Sequence, residues 1–263
     1  MRRVLRAPLT LLLVALAAFP AAAATPAGPT AAGPTAAGPT AGRAARDVRA
    51  HEEARARVEE LREADAPPGE VRDAERHRRD VRSRLWDLLW AVEHALGDPV
   101  AVDPAGRAGH CPLGPRSTPA APVPGEDPSW TVPTTGYRLT AGYAERGRRW
   151  KHRHTGQDFA VGSGTPVRAV GPGTVRVTTC GDGFGNQVLV RHRDGYFTQY
   201  AHLSRIDVRK GQKVRAGQLL GLSGATGNVT GPHLHFEVRI TPYIGSAVPP
   251  LPWLARKGVH PAQ

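Results

Sequence analysis

The chain is poor in several things, and each shortage excludes a class of protein. Of 263 residues only Cys111 and Cys180 are cysteine, too few for a disulfide-stapled scaffold or for a cysteine-bound zinc module. A metal here has to be held by histidine and carboxylate. Lysine is scarce too: of 35 basic residues only Lys151, Lys210, Lys213 and Lys257 are not arginine. Beyond the first twenty residues no apolar run approaches the roughly 20 residues needed to cross a bilayer. No His-Glu-x-x-His occurs, so a zinc peptidase built on a single helix is excluded. Aromatic residues make up 6% of the chain, and neither stacking platforms nor a reading helix accompanies its net charge of +12. Nucleic-acid binding is therefore not expected.

What is abundant is unevenly placed. Thirty Gly and 25 Pro limit regular structure to part of the chain. Arg2, Arg3 and Arg6 precede an apolar run from Leu9 to Phe19, which Pro20 ends, and Ala21 to Ala24 offer small residues for cleavage. This reads as an export signal over residues 1–24, with no membrane attachment after cleavage and a secreted, cell-wall location. Residues 25–40 repeat Ala-Gly-Pro-Thr, which has nothing to bury, and read as a tether. Residues 41–97 are rich in Arg, Glu and Ala. Val71, Ala74, Arg78, Val81, Leu85, Leu88, Val92 and Ala95 follow the 3,4 alternation of a coiled-coil seam. Ala54, Val58 and Leu61 repeat it more weakly, and Pro67-Pro68-Gly69 breaks the helix between them. An α-helical coiled-coil hairpin is expected, a spacer or an arm able to dock a protein partner, with Trp86 and Trp90 free to pack on the other helix or on the next domain. Residues 98–129 are Pro-rich and read as a linker.

Residues 130–263 carry 18 basic against 6 acidic residues, hence the whole positive excess. Short strands and turns dominate. Val188 to Val190, Asp194-Gly195 and Tyr196 to Tyr200 read as a hairpin. An internal echo points to a duplicated β architecture. Gly164-Thr165-Pro166-Val167-Arg168-Ala169 matches Gly211-Gln212-Lys213-Val214-Arg215-Ala216 at Gly, Val, Arg and Ala, and a second apolar strand follows each.

The chemistry lies in two histidine motifs. His154 and Asp158 stand four apart with Gly156 between them. In Gly231-Pro232-His233-Leu234-His235-Phe236-Glu237-Val238, strand periodicity sets His233, His235 and Glu237 on one face and Leu234, Phe236 and Val238 on the other. Two imidazoles together on one strand face are costly as core and sensible as ligand and catalyst. His202, in Tyr200-Ala201-His202-Leu203, can reach the same cleft. A catalytic zinc needs three protein ligands and one open position, which two His and one Asp can supply.

From about Tyr137 to Val238 the chain resembles the lysostaphin/LytM-type zinc metallopeptidases, which cleave peptides of bacterial peptidoglycan. The resemblance rests on six motifs in order: His154-x-x-x-Asp158, Gly164-Thr165-Pro166-Val167, Gly183-Phe184-Gly185-Asn186, Tyr200-Ala201-His202-Leu203, Gly224-Ala225-Thr226-Gly227 and the His233-x-His235 strand. It covers under half of the chain. It implies a mostly β catalytic domain over 130–263, a duplicated antiparallel core with a narrow groove. It implies zinc on His154, Asp158 and His235, with His202 and His233 as general base and as orienter of water or oxyanion, their shares unassigned. Glu237 either orients an imidazole from behind or is a surface carboxylate. In an oxidising compartment Cys111 and Cys180 are expected to pair. The expected function is a secreted zinc endopeptidase acting on peptidoglycan stem or cross-bridge peptides. The alternative is a non-catalytic domain of the same type that binds the wall or activates another hydrolase. The cationic domain suits approach to an anionic wall polymer.

Overall fold

The computed structural model describes residues 39–96, 111, 113–118, 129–147 and 153–262. The expected export signal, nearly all of the tether and most of the linker lie outside them. Two long helices come first, α1 (Pro39–Glu63) and α2 (Pro68–Leu96). Their Ala, Arg and Glu are strong helix formers, and the break falls where Pro67-Pro68 forbids continuation. Asp65 there takes a left-handed φ of 46°, and Pro68 opens α2, where a missing N–H costs nothing. Ala54, Val58 and Leu61 of α1 and Val81, Leu85 and Leu89 of α2 are buried. The partly buried Leu88 of the expected seam packs against the core of the β domain, which Leu85 and Leu89 join.

The hairpin is thus fastened to the β domain. Trp86 packs against Phe197 and Tyr243, and Trp90 against Tyr243, with ring centroids 5.9–6.0 Å apart. Arg82 donates to the Gly195 carbonyl, and the Tyr196 hydroxyl donates to Glu52 at 2.6 Å.

The β domain holds ten strands, every pair antiparallel: β1 (Arg138–Leu139), β2 (Gln157–Ala160), β3 (Pro166–Arg168), β4 (Gly173–Asp182), β5 (Gly185–His192), β6 (Phe197–Ile206), β7 (Lys213–Val214), β8 (Leu219–Ser223), β9 (Leu234–Arg239) and β10 (Ala247–Val248). The main order is β1-β2-β9-β6-β5-β4-β7, with β10 beside β9 and β8 bridging β3 to β6. The internal echo is a structural one. In each copy the first strand pairs with the second strand of the other copy, β3 with β8 and β7 with β4. The matching glycines share a left-handed turn, φ 87° at Gly164 and 84° at Gly211, open to glycine at no steric cost. A short helix, α3 (Pro250–Ala255), closes the far side, its buried Trp253 edge-on to Trp130 at 5.1 Å.

Part of the expected linker is not free-running. Cys111 is bonded to Cys180 on β4. Gly114 and Ser117 donate backbone N–H groups to the Ile206 and Asp207 carbonyls, and the Ser117 hydroxyl donates to the Leu219 carbonyl at 2.6 Å.

Glu52 is the most perturbed acid of the hairpin. Burial alone would raise it, but hydrogen bonds to His51 and Tyr196 and the charge of Arg55 outweigh this and hold it at about 2. A carboxyl depressed in the folded state contributes stability above its unfolded value of about 4.5 and loses it as pH falls toward the folded one. Urea unfolding of wild type and Glu52→Gln should therefore differ fully above about pH 5 and converge near pH 2. A constant difference across that range would show that the carboxylate charge is not what holds the hairpin.

Candidate metal centre

The centre is built by strand register. Asp158 on β2 lies directly opposite His235 on β9, and His235 lies opposite Ala201 on β6. Paired residues project to the same side, so two of the three residues converge because the sheet is in this register. His154 sits just before β2, one turn of chain back, and the intervening Gly156 is obligatory. A Cβ there would stand 2.8 Å from the His235 ring and 2.4 Å from the Phe236 carbonyl.

Three atoms meet: His154 Nε2, His235 Nδ1 and Asp158 Oδ1, separated by 3.0, 2.9 and 3.1 Å. Their hydrogen-bond partners fix the tautomers. His154 Nδ1–H donates to the Gly142 carbonyl at 2.8 Å, since a carbonyl can only accept. His235 Nε2–H donates to the Glu237 carboxylate at 3.0 Å. Each ring therefore turns its other nitrogen toward the Asp158 carboxylate, and with those nitrogens unprotonated three acceptors face one another at contact distance. Such a triangle demands a positive charge. Without a metal a proton meets the demand: burial pushes His235 down, yet Asp158 and Glu237 overcome it and raise the ring to about 9. Burial likewise opposes ionisation of Asp158, but the two imidazoles hold its carboxyl well below the usual range. The donor set also fits a tetrahedral zinc, whose ligands at about 2.0–2.1 Å lie roughly 3.3 Å apart. These three are the group of buried His and carboxylate residues whose ligand atoms all lie within 4.8 Å of one another among the described residues.

His202 and His233 flank the triangle on its open side. Their ring centroids are 4.7 Å apart, His202 lies 5.8 Å from His235, and His233 Nε2 is 3.8 Å from Asp158 Oδ2. Nδ1–H of each donates to a carbonyl, Thr226 at 2.8 Å and Gly231 at 2.9 Å, which leaves both Nε2 atoms as acceptors. His202 follows Ala201 on β6, so regular pleating would turn it to the opposite face. A left-handed φ of 61° re-aims it, at a backbone cost that surrounding structure has to hold in place. Burial, then the charges of His235 and His233, push it down to about 3. At neutral pH it is an uncharged imidazole.

The expected face of β9 is only partly as read. His233 precedes the strand and pairs with Gly224 through an isolated bridge, and it is only partly buried. Residues 234–239 are buried on both faces. Glu237 is no surface carboxylate, being 1% exposed. It accepts from His235, from the Thr155 hydroxyl and from Arg239 Nε at 2.6 Å. Arg239, also buried, donates onward to Gln199 at 2.6 Å, and Gln199 to Gln187. This polar chain under the centre was not legible in the sequence, where Arg239 looks like a strand-end cation. Phe184, tilted against the His235 ring at 5.5 Å, was visible only as part of a glycine-flanked turn. A groove of about 540 Å³ opens over the centre, lined by Phe184, Asn228, Thr230 and Pro232 besides the five residues above.

Residues 152–250 match the model of Peptidase family M23, so this part of the chain is a domain of that family. It is 54% identical over 85 residues to the peptidoglycan DD-endopeptidase ShyA of Vibrio cholerae, covering 32% of this chain and 20% of that protein. It is 48% identical over 87 residues to the DD-carboxypeptidase/endopeptidase Mpg of Neisseria meningitidis, covering 33% and 20%. The chain thus spans about a fifth of the length of these curated relatives. Among solved structures, the catalytic domain of lysostaphin from Staphylococcus simulans is 35% identical, with 45% of this chain and 92% of that one covered and a TM-score of 0.43.

The Glu237–Arg239 pair lies in the interior, where removing one partner strands the other. Glu237→Leu should cost about 3–5 kcal/mol in urea unfolding, and the double change to Leu at 237 and Met at 239 should recover part of it. Equal stability of Glu237→Leu and wild type would mean that the pair is solvated.

Proposed function

We propose that this protein is a secreted, zinc-dependent endopeptidase that hydrolyses peptide bonds in the stem or cross-bridge of bacterial peptidoglycan. The observation that carries this reading is the triangle of His154 Nε2, His235 Nδ1 and Asp158 Oδ1 at the floor of an open groove. Three protein donors with a free side are the pattern of a catalytic zinc site rather than of a closed structural one. ShyA is by name a peptidoglycan DD-endopeptidase and Mpg a DD-carboxypeptidase/endopeptidase, which supports both the substrate and the reaction.

His154, Asp158 and His235 would hold the zinc, which when bound supplies a Lewis acid for a carbonyl and acidifies a water. The remaining steps belong to the protein. The groove accommodates an extended peptide with its scissile carbonyl over the triangle. The Nε2 atoms of His202 and His233, both acceptors, face the place where a water attacks, and one of them takes its proton. The other, once protonated or by donating through water, steadies the oxyanion. Glu237 acts from behind, fixing the tautomer and plane of His235. Asp158 stays ionised over the working range, because its neighbours hold it low.

His235→Ala should abolish both zinc binding, read by metal analysis, and release of soluble muropeptides from purified walls. His202→Ala and His233→Ala should each keep about one zinc per chain yet lower kcat by about 10²–10⁴-fold. Full zinc binding with no cut muropeptide by mass spectrometry, on walls of differing cross-bridge, would establish a wall-binding regulator instead.

A further inference from the structure

A second cavity lies away from the metal groove. It holds about 770 Å³ and is lined by Arg191 and Arg193 of β5 and its turn, Lys213 of β7, Arg215, and Thr174 of β4. Arg191, Arg193, Lys213 and Arg215 are all exposed, and none takes part in an ion pair among the described residues. No carboxylate is among the described residues that line the cavity. The nearest acid along the chain, Asp194, is occupied by Lys257 at 2.7 Å.

Sheet register organises these cations. Thr174 lies opposite both Arg191 and Lys213, so the three stand abreast on adjacent strands, with the two cations roughly 10 Å apart at the backbone and a hydroxyl between them. Arg193, in the turn after β5, and Arg215, just after β7, line the same cavity. Four positive side chains thus line one concavity, with no carboxylate paired to them among the described residues. Like charges held together repel, and the arrangement is relieved by a multivalent anion. Three of the four are Arg, whose planar fork matches a phosphate better than it does a point charge. The cavity, about 770 Å³ and partly open, is several times larger than one phosphate group, which suits successive groups of a chain.

We infer that this cavity is a docking site for a phosphodiester-linked polyol or glycan polymer of the cell wall. It lies at the opposite end of the β4–β5 hairpin from Gly183 and Phe184, which line the metal groove. About eight residues of strand, roughly 25 Å, separate the two. A polymer bound there leaves the groove open and holds the domain against the wall while it acts. The choice of a wall polymer rests on the proposed function; the presence of an anion site does not.

The test compares the full mature chain with a variant in which Arg191, Arg193, Lys213 and Arg215 are each changed to Gln. A control variant removes the same charge from exposed helix positions, with Arg43, Arg49, Arg72 and Arg84 changed to Gln. Purified poly(glycerol phosphate) is the probe, titrated at several salt concentrations, with anionic phospholipid vesicles, duplex DNA and polyglutamate alongside. The cavity variant should lose at least tenfold in affinity for poly(glycerol phosphate) and show a shallower salt dependence, while the helix variant stays within about twofold of wild type. Zinc content and cleavage of a small soluble peptide should be unchanged in both, which separates this result from failure of the peptidase reading. Equal losses in the two variants would reduce the effect to net charge and overturn the proposal. So would tighter binding to vesicles, DNA or polyglutamate than to the phosphodiester polymer.

Discussion

The structure turns on a single cross-strand pair. Asp158 and His235 face one another on β2 and β9, and with His154 they place three electron pairs about 3 Å apart in a buried pocket. Left alone such a cluster repels itself, and burial makes the repulsion worse. Everything around it manages that conflict. The Gly142 carbonyl and the Glu237 carboxylate take the protons on the outer nitrogens, so the inner ones can only accept. Arg239 then answers the charge of Glu237. The arrangement calls for positive charge at its centre, a demand that the raised His235 ring can meet with a proton.

The rigidity of this pocket comes from the sheet, and its adaptability from the loops. Register on β2, β9 and β6 fixes Asp158, His235 and Ala201 to within the tolerance of hydrogen-bonded strands. His154, His202 and His233 lie at or beyond strand ends or irregularities, each held by a backbone carbonyl through Nδ1. Departures from regular strand bring these rings to the centre. The left-handed backbone at His202 is the clearest case, because a strand that obeyed its pleat would face this ring away from the centre.

How much of this was legible before the structure depends on the distance over which each constraint acts. Period-2 alternation around His235 is local, and so were the Asp194-Gly195 turn and the strand copies after Gly164 and Gly211. The proline break at Pro67-Pro68 was equally local. What could not be read was whatever required knowing which strands are neighbours. Glu237 could be set on the histidine face of its strand but not read as buried, and Arg239 is an ordinary strand residue in the sequence. Only the apposition of β6 to β9 buries them and brings Gln199 to the guanidinium. The face of α2 that meets the β domain was likewise hidden, since a coiled-coil seam and a docking face share the same apolar periodicity.

That docking bears on how the two parts of the protein work together. Trp86, Trp90 and Arg82 reach the β domain at Phe197, Tyr243 and Gly195. Gly195 belongs to the β5–β6 turn, and Phe197 opens β6, the strand that carries His202 and pairs with the metal-centre strand β9. The hairpin therefore grips the end of β6 away from His202. The same turn adjoins Arg191 and Arg193 of the cationic cavity. One end of the domain thus gathers the helical arm and the positive charge, while the candidate metal centre lies at the other. The two ends are thus independent, since contacts made by the arm or by the cations do not compete for the groove over His154, Asp158 and His235.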